Sequence, residues 1–214
     1  LTHTTRNSRR TLNNHVSPAG AFLRLARSNR LMYEVELKLR ADHDPLRERL
    51  DARATRDRSV TQTDTYYDAP HRDFAETDEA VRVRVEREAE ESVAKLTYKG
   101  PLLDSESKTR EEHETLVADE DATRGILDGL GFEPAATVEK HRVFYTLDGY
   151  TVTLDSVTDL GEFVEIETEV ETEAEIPAAR DRARALLSEL GADPDEGIQT
   201  SYLGLLLSKS DTSQ

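Results

Sequence analysis

Met32-Tyr33-Glu34-Val35-Glu36-Leu37-Lys38-Leu39-Arg40 alternates apolar and charged residues with period two. Such alternation describes a β-strand, because successive side chains of a strand point to opposite faces. Glu34, Glu36, Lys38 and Arg40 share one face, while Tyr33, Val35, Leu37 and Leu39 point the other way, into a core. Same-face neighbours stand about 7 Å apart along a strand. Two carboxylates and an ammonium are thereby held in a row on one rigid element. Carboxylate oxygens suit hard cations such as Mg²⁺ or Mn²⁺, and the adjacent positive charge suits a phosphate. Taken alone, the same pattern also describes the solvated outer face of an antiparallel sheet.

Further segments repeat the alternation. Val81-Arg82-Val83-Arg84-Val85 puts two guanidinium groups on one face, and Val93 to Lys99 aligns Lys95 with Lys99. Lys108 to Thr115 brings Arg110, Glu112 and Glu114 into register, and Glu139 to Tyr145 aligns Lys140 with Arg142. Glu162 to Glu169 supplies a second acidic pair, Glu165 and Glu167. Acidic pairs stand near both ends of this set and mostly basic residues in its middle. A closed or strongly curved sheet would turn these faces toward one another and form a polar-lined tunnel. Inward charge on that scale is costly unless a ligand of opposite charge fills the space.

The chain holds 22 arginines and only six lysines, and five of those lysines (Lys38, Lys95, Lys99, Lys108 and Lys140) fall in the charged strands. A compact ammonium is retained where phosphate binding would use it. At 214 residues, one domain with a substantial core is the default. The net charge of −16 argues against general nucleic-acid or anionic-membrane binding. That total hides an asymmetry. Residues 1–31 carry six arginines and no Asp or Glu, whereas from Met32 onward 22 basic residues face 44 acidic ones. The acidity, spread over the whole body, reads as that of a salt-adapted (halophilic) cytoplasmic protein. With no cysteine, disulfides, thiolate metal sites and cysteine nucleophiles are excluded. No run approaches the roughly 18 apolar residues of a membrane helix. Residues 1–31 are read as a disordered or non-native extension before the domain, with a basic nucleic-acid-binding arm as the alternative.

Punctuation sets the remaining elements. Asp44-Pro45 opens a short helix with Leu46 and Leu50 at i, i+4. Gln62 to Tyr67 reads as a strand and Phe74 to Glu79 as a connecting turn. Asp119 to Leu130 is a helix closed by Gly129 and Gly131. Asp148-Gly149 is a hairpin turn between Val143–Leu147 and Tyr150–Leu154. Pro177 begins a long helix through Leu190, stopped by Gly191. Tyr202 to Leu207 is a short apolar segment, and 208–214 a flexible tail.

Glu34-Val35-Glu36-Leu37-Lys38 resembles the Glu-x-Glu-x-Lys signature of the CYTH family, which groups class IV adenylate cyclases with thiamine triphosphatases among the triphosphate tunnel metalloenzymes. Later motifs follow in the same order. They are Asp64-Thr65-Tyr66-Tyr67, Ala80-Val81-Arg82-Val83-Arg84, Thr97-Tyr98-Lys99-Gly100-Pro101, and Arg110-Glu111-Glu112-His113-Glu114. Lys140-His141-Arg142, Leu154-Asp155-Ser156-Val157 and Leu160 to Glu167 complete the set. The resemblance covers Met32 to about Leu207 and is closest to the class IV adenylate cyclase branch. It implies an α+β fold, an eight-stranded antiparallel β-barrel with flanking helices, whose lumen holds a triphosphate and divalent cations.

Carried over position by position, the resemblance makes Glu34, Glu36, Asp155, Glu165 and Glu167 ligands of Mg²⁺ or Mn²⁺, or their close partners. Lys38, Arg82, Arg84, Lys99, Lys140 and Arg142 would grip the phosphates, and Glu34, Glu36 and Lys38 would form the catalytic centre. Glu112, Glu114, Lys95 and Arg110 are further lining candidates. The expected partner is a small triphosphate (ATP, inorganic triphosphate or thiamine triphosphate), with no nucleic acid and no membrane, and the family suggests a homodimer. Attack by a ribose 3′-hydroxyl on the α-phosphorus of ATP would give cyclic AMP and pyrophosphate. Attack by water on the terminal phosphorus would give orthophosphate. A non-catalytic polyphosphate or nucleotide binder is the third reading.

Overall fold

Alternating strands with one charged face can leave that face wet or bury it by closing on themselves. Here they close. The computed structural model describes residues 33–103 and 109–212. The readings of residues 1–31, of Met32 and of Lys108 lie outside the described residues. Eight strands run β1 (Tyr33–Arg40), β2 (Thr55–Asp68), β3 (Ala80–Glu88), β4 (Glu91–Lys99), β5 (Arg110–Val117), β6 (Glu133–Leu147), β7 (Tyr150–Val157) and β8 (Gly161–Val170). They form a closed antiparallel barrel in the order β1-β5-β4-β3-β2-β6-β7-β8. Among the described residues four α-helices accompany them: α1 (His43–Arg53), α2 (Glu120–Gly129), α3 (Ile176–Glu189) and α4 (Tyr202–Thr212). Among the described residues no helix is long and apolar enough to cross a membrane.

Closure places the apolar core outside the barrel. Leu37, Leu39, Val143, Tyr145, Val152, Leu154, Val164 and Ile166 pack from the outer strand faces onto Leu46 and Leu50 of α1 and Ala183, Leu186, Leu187 and Leu190 of α3. On β1 both faces are consequently buried: Val35 on one side, Glu36 and Lys38 on the other. The expectation that Tyr33, Val35, Leu37 and Leu39 enter a core agrees with their burial.

Local signals account for most element ends. Asp148 (φ 50°) and Gly149 (φ 84°) both take the left-handed conformation that a two-residue hairpin turn of the twist-matching type requires. After α3, Gly191 at φ 76° lets its own N–H reach Ser188 O and the Ala192 N–H reach Leu187 O, which satisfies the last carbonyls of the helix. Helix α1 starts at His43, whose N–H is accepted by the Glu162 carboxylate 2.9 Å away. Strand β2 is much longer than the Gln62–Tyr67 alternation. Its first half, Thr55 to Thr61, is too polar to show a period and is held by pairing with β6, with a register shift between Arg56 and Arg58.

The barrel seam is asymmetric. Strand β1 pairs with β8 along its whole length, from Tyr33↔Val170 to Arg40↔Phe163, but meets β5 only at Tyr33↔Glu111 and Glu34↔Arg110. Farther along, the Ile198 N–H donates to Lys38 O at 2.7 Å. The segment joining α3 to α4 thus lies against the strand that carries the Glu-x-Glu-x-Lys residues.

Candidate active site

Strand register decides which side chains share the lumen. Paired residues face the same side of a sheet, so Glu36↔Glu167, Lys38↔Glu165, Arg142↔Asp155, Lys99↔Glu112, Arg84↔Lys95 and Asp64↔Arg84 all project inward together. Along β6 the inward residues are Val138, Lys140, Arg142 and Phe144. Along β7 they are Val157, Asp155 and Thr153, and along β8 Phe163, Glu165 and Glu167. One end of this series is apolar. Tyr66, Val138, Val157 and Phe163 there pack on Tyr202, Leu203, Leu205 and Leu206 of α4. Helix α4 therefore caps that mouth of the barrel. The segment read as Tyr202–Leu207 followed by a tail forms one helix through Thr212.

Two charged clusters occupy the lumen. In the first, one carboxylate oxygen each from Glu34, Glu36 and Glu167 lie within 4.8 Å of one another. Lys99 sits beside them, 2.7 Å from Glu34 and in contact with Glu112. Burial raises the Glu34 carboxyl well above its usual range, and the Glu112 and Glu167 carboxylates add to the effect against the pull of Lys99. Burial likewise pushes Glu167 up to about 7, aided by Glu36 and Glu165 and opposed by Arg142. Carboxyls that resist ionising beside one another are what a bound cation would relieve. Three hard oxygen donors converging on one point fit Mg²⁺ or Mn²⁺.

The second cluster is built on guanidinium–carboxylate pairs. Arg142 grips Asp155 through both nitrogens (Nε–Oδ1 2.6 Å) and also contacts Glu165. Arg84 grips Asp64 at 2.6 and 2.7 Å, and Arg82 reaches the same carboxylate at 3.5 Å. Lys38 lies 3.5 Å from Glu36 and 3.3 Å from Glu165, and so bridges the clusters. Burial opposes ionisation of Asp64 and Glu165. It is outweighed by Arg84 and Arg82 at Asp64, and by Arg142 with Lys38 and Lys140 at Glu165, so both stay below the ordinary carboxylate range. Lys140 differs: burial, then the Arg142 and Arg84 guanidiniums, lower it to about 8. Its nearest carboxylate, Asp155, is 3.4 Å away and already holds Arg142. The Nε of Arg82 is buried and has no protein partner. These two donors are the ones an anion could take up with least exchange of existing partners.

The structure thus brings together Glu34, Glu36 and Glu167. It sets Asp155 and Glu165 apart from that trio, on Arg142. Lys38, Arg82, Arg84, Lys99, Lys140 and Arg142 all line the lumen. Glu114 pairs with Lys95 at 3.0 Å, whereas Arg110 is tied to Asp78. Several lining residues carried no assigned role in the sequence. Asp64 shares the parity of Arg84 across the β2–β3 pair and could have been found from that register. Gln62 and Glu86 follow the same parity. Tyr202 had no such signal. Its hydroxyl donates to Asp155 at 3.0 Å, and its ring lies under the Lys38 and Lys140 ammonium groups, 4.3 and 4.9 Å from the centroid.

Known proteins share this architecture. The CYTH domain family model matches residues 32–202. A candidate adenylate cyclase of Methanocaldococcus jannaschii is 36% identical over 144 residues, 67% of this chain and 80% of its own length. The structure of a Pyrococcus horikoshii protein superposes with a TM-score of 0.78 at 43% identity, over 82% of this chain and 99% of the other. At the level of fold alone, so does an adenylyl cyclase-like protein of Hippeastrum, whose structure is described as revealing a dominant triphosphatase activity. It has a TM-score of 0.60 at 18% identity, covering 83% of this chain and 96% of that one. With a closed eight-stranded barrel, an inward Glu-x-Glu-x-Lys strand and a family match spanning most of its length, this chain belongs to the CYTH domain family.

Proposed function

We propose that the lumen binds a triphosphate together with Mg²⁺ or Mn²⁺ and turns it over in the manner of a class IV adenylate cyclase, converting ATP to cyclic AMP and pyrophosphate. The observation that carries this reading is the pairing of two unmet electrostatic demands in one enclosure. Burial holds the carboxyls of Glu34 and Glu167 above their usual range, a cost that a cation among them relieves, and burial beside Arg142 and Arg84 weakens the hold of Lys140 on its proton, a cost that an anion relieves. A metal-bound triphosphate supplies both charges.

Each group then has a defined task. Glu34, Glu36 and Glu167 would hold the cation, with Asp155 and Glu165 keeping the neighbouring basic groups in place. Bound there, the metal supplies Lewis-acid polarisation of phosphoryl oxygens. Lys38, Lys99, Lys140, Arg82, Arg84 and Arg142 would take up the phosphate oxygens and spread the charge that develops on them. Phosphoryl and nucleotidyl transfer depend chiefly on such positioning and charge neutralisation, so no protein nucleophile is required.

The alternative is hydrolysis of the terminal phosphate of inorganic or thiamine triphosphate. It is favoured by the capped mouth, where the Phe163 and Tyr202 rings meet edge to face within the apolar cluster that also holds Tyr66. Product analysis separates the readings. The full chain is incubated in high salt, with Mg²⁺ or Mn²⁺, with ATP, inorganic triphosphate or thiamine triphosphate. Cyclic AMP plus pyrophosphate from ATP supports the cyclase. Orthophosphate released fastest from inorganic triphosphate makes the protein a triphosphatase. Binding without turnover leaves a polyphosphate binder and sinks the enzymatic reading.

A further inference from the structure

We infer that Tyr202, the first residue of α4, is a positioning residue for the reaction: its ring and hydroxyl hold Lys38, Lys140 and Asp155 in the arrangement that meets the phosphate oxygens. This rests on the triphosphate reading. Lys38 stands on β1 and Lys140 on β6, with β8 and β7 between those strands in the barrel. Both ammonium groups nevertheless converge on one ring, 4.3 and 4.9 Å from its centroid. That ring is fixed in turn by the fully buried Phe163, which meets it edge to face at a centroid distance of 4.9 Å and an interplanar angle of 67°. The Tyr202 hydroxyl donates to Asp155 Oδ2, the oxygen that also meets Arg142 Nη2 and lies 3.4 Å from Lys140 Nζ.

A lysine ends in a point charge on a flexible four-carbon stem, so a site that uses it must hold it still. At Lys99 carboxylates do this: its ammonium lies 2.7 Å from Glu34 and also touches Glu112. Among the described residues the shortest carboxylate contacts of Lys38 and Lys140 are longer, 3.3 Å to Glu165 and 3.4 Å to Asp155. The Tyr202 ring supplies the missing hold. An aromatic face attracts an ammonium through its quadrupole without neutralising it, so the charge and the N–H donors stay available to an anion. A carboxylate in the same place would have to give way to each incoming phosphate. The hydroxyl completes the arrangement, because it occupies the Asp155 oxygen toward which Lys140 would otherwise be drawn. Fixed placement of charged groups is where phosphoryl chemistry gains its rate. The cap is thereby part of the phosphate grip, a role that the apolar contacts of Leu203, Leu205 and Leu206 do not give it.

The test uses the full chain and four variants. Y202F keeps the ring, Y202L and Y202M remove it, and L205A loosens the apolar seat of α4 without touching a charged group. The chain has only six lysines, so isotope labelling of lysine gives few nuclear magnetic resonance signals. In the unsubstituted chain the signals of Lys38 and Lys140 should be moved upfield by the Tyr202 ring current. They should return to the ordinary lysine position in Y202L and Y202M and stay shifted in Y202F and L205A. Equilibrium binding of inorganic triphosphate, with Ca²⁺ in place of Mg²⁺, and kcat/KM for inorganic triphosphate or ATP are then measured. Both should fall roughly tenfold without the ring, recover to within about threefold in Y202F, and stay within about twofold per folded molecule in L205A. Unshifted lysine signals in the unsubstituted chain overturn the ring contact whatever the substrate. Shifted signals with binding and turnover unchanged in Y202L and Y202M overturn the positioning role and leave the tunnel reading intact. A loss in L205A as large as in Y202L reduces Tyr202 to a packing residue. No binding of inorganic triphosphate to the unsubstituted chain, with the lysine signals shifted, removes the triphosphate reading and the positioning role with it.

Discussion

The Tyr202 hydroxyl donates to Asp155 Oδ2 at 3.0 Å across 47 residues of sequence, joining the helix that caps the barrel to the carboxylate that holds Arg142. A hydrogen bond to a charged, buried acceptor contributes about 1.5–3 kcal/mol. Y202F should therefore lower the unfolding free energy by about 2 kcal/mol in denaturant titration, with the ring and its contacts to Lys38 and Lys140 retained. A change under about 0.5 kcal/mol would mean that the hydroxyl contributes nothing to docking of α4.

Glu36→Gln removes one charge from the carboxylate trio without changing its shape. Metal-dependent turnover should fall by at least a hundredfold, the far-ultraviolet circular dichroism should stay unchanged, and the rise in melting temperature on adding Mg²⁺ should shrink. Chelation of the metal from the unsubstituted chain should reproduce the loss of turnover. Full activity in this variant would move the cation elsewhere in the lumen.

Lys140 gives triphosphate binding a pH dependence. Its pKa is lowered to about 8 in the folded chain, so it sheds its proton as pH rises through that value. Affinity for inorganic triphosphate should weaken over pH 7.5–9, and Lys140→Arg, which stays charged, should flatten that limb. The stability effect has the opposite sign. Between about 8 and the ordinary lysine range the unfolded chain binds the extra proton, so this group's contribution to stability rises with pH. An affinity profile flat from pH 7 to 9 would remove Lys140 from the phosphate site.

Leu187 of α3 is fully buried in the core outside the barrel. Leu187→Ala should cost about 2–5 kcal/mol while leaving kcat per folded molecule unchanged at low temperature, since it packs in the cluster on the outer faces of the strands. A change in kcat without loss of stability would contradict the separation of core and lumen.

Much of the barrel was legible because its strands obey a strict period of two. Glu34, Glu36 and Lys38 could be placed on one face from β1 alone, and Arg82, Arg84, Lys140 and Arg142 from their own alternation. Where the alternation fades, so did the reading. The first half of β2 carries Arg56, Asp57 and Arg58 in succession and becomes a strand only by pairing with β6. Parity also says nothing about partners. Asp155 and Glu165 have the inward phase of metal ligands, yet only the folded barrel shows both committed to Arg142 rather than joined with Glu34, Glu36 and Glu167.

By itself the sequence determined the alternating strands, the shared face of the charges on each of them, the Asp148-Gly149 hairpin turn and the stop of α3 at Gly191, since all of these depend on neighbours within a few residues. The tertiary structure alone decided which charges meet. Barrel closure and register bring side chains from β1, β5 and β8 within a few ångströms, and α4 adds Tyr202 from far along the chain. Coulombic and hydrogen-bond energies depend on those separations in space, which no local pattern encodes.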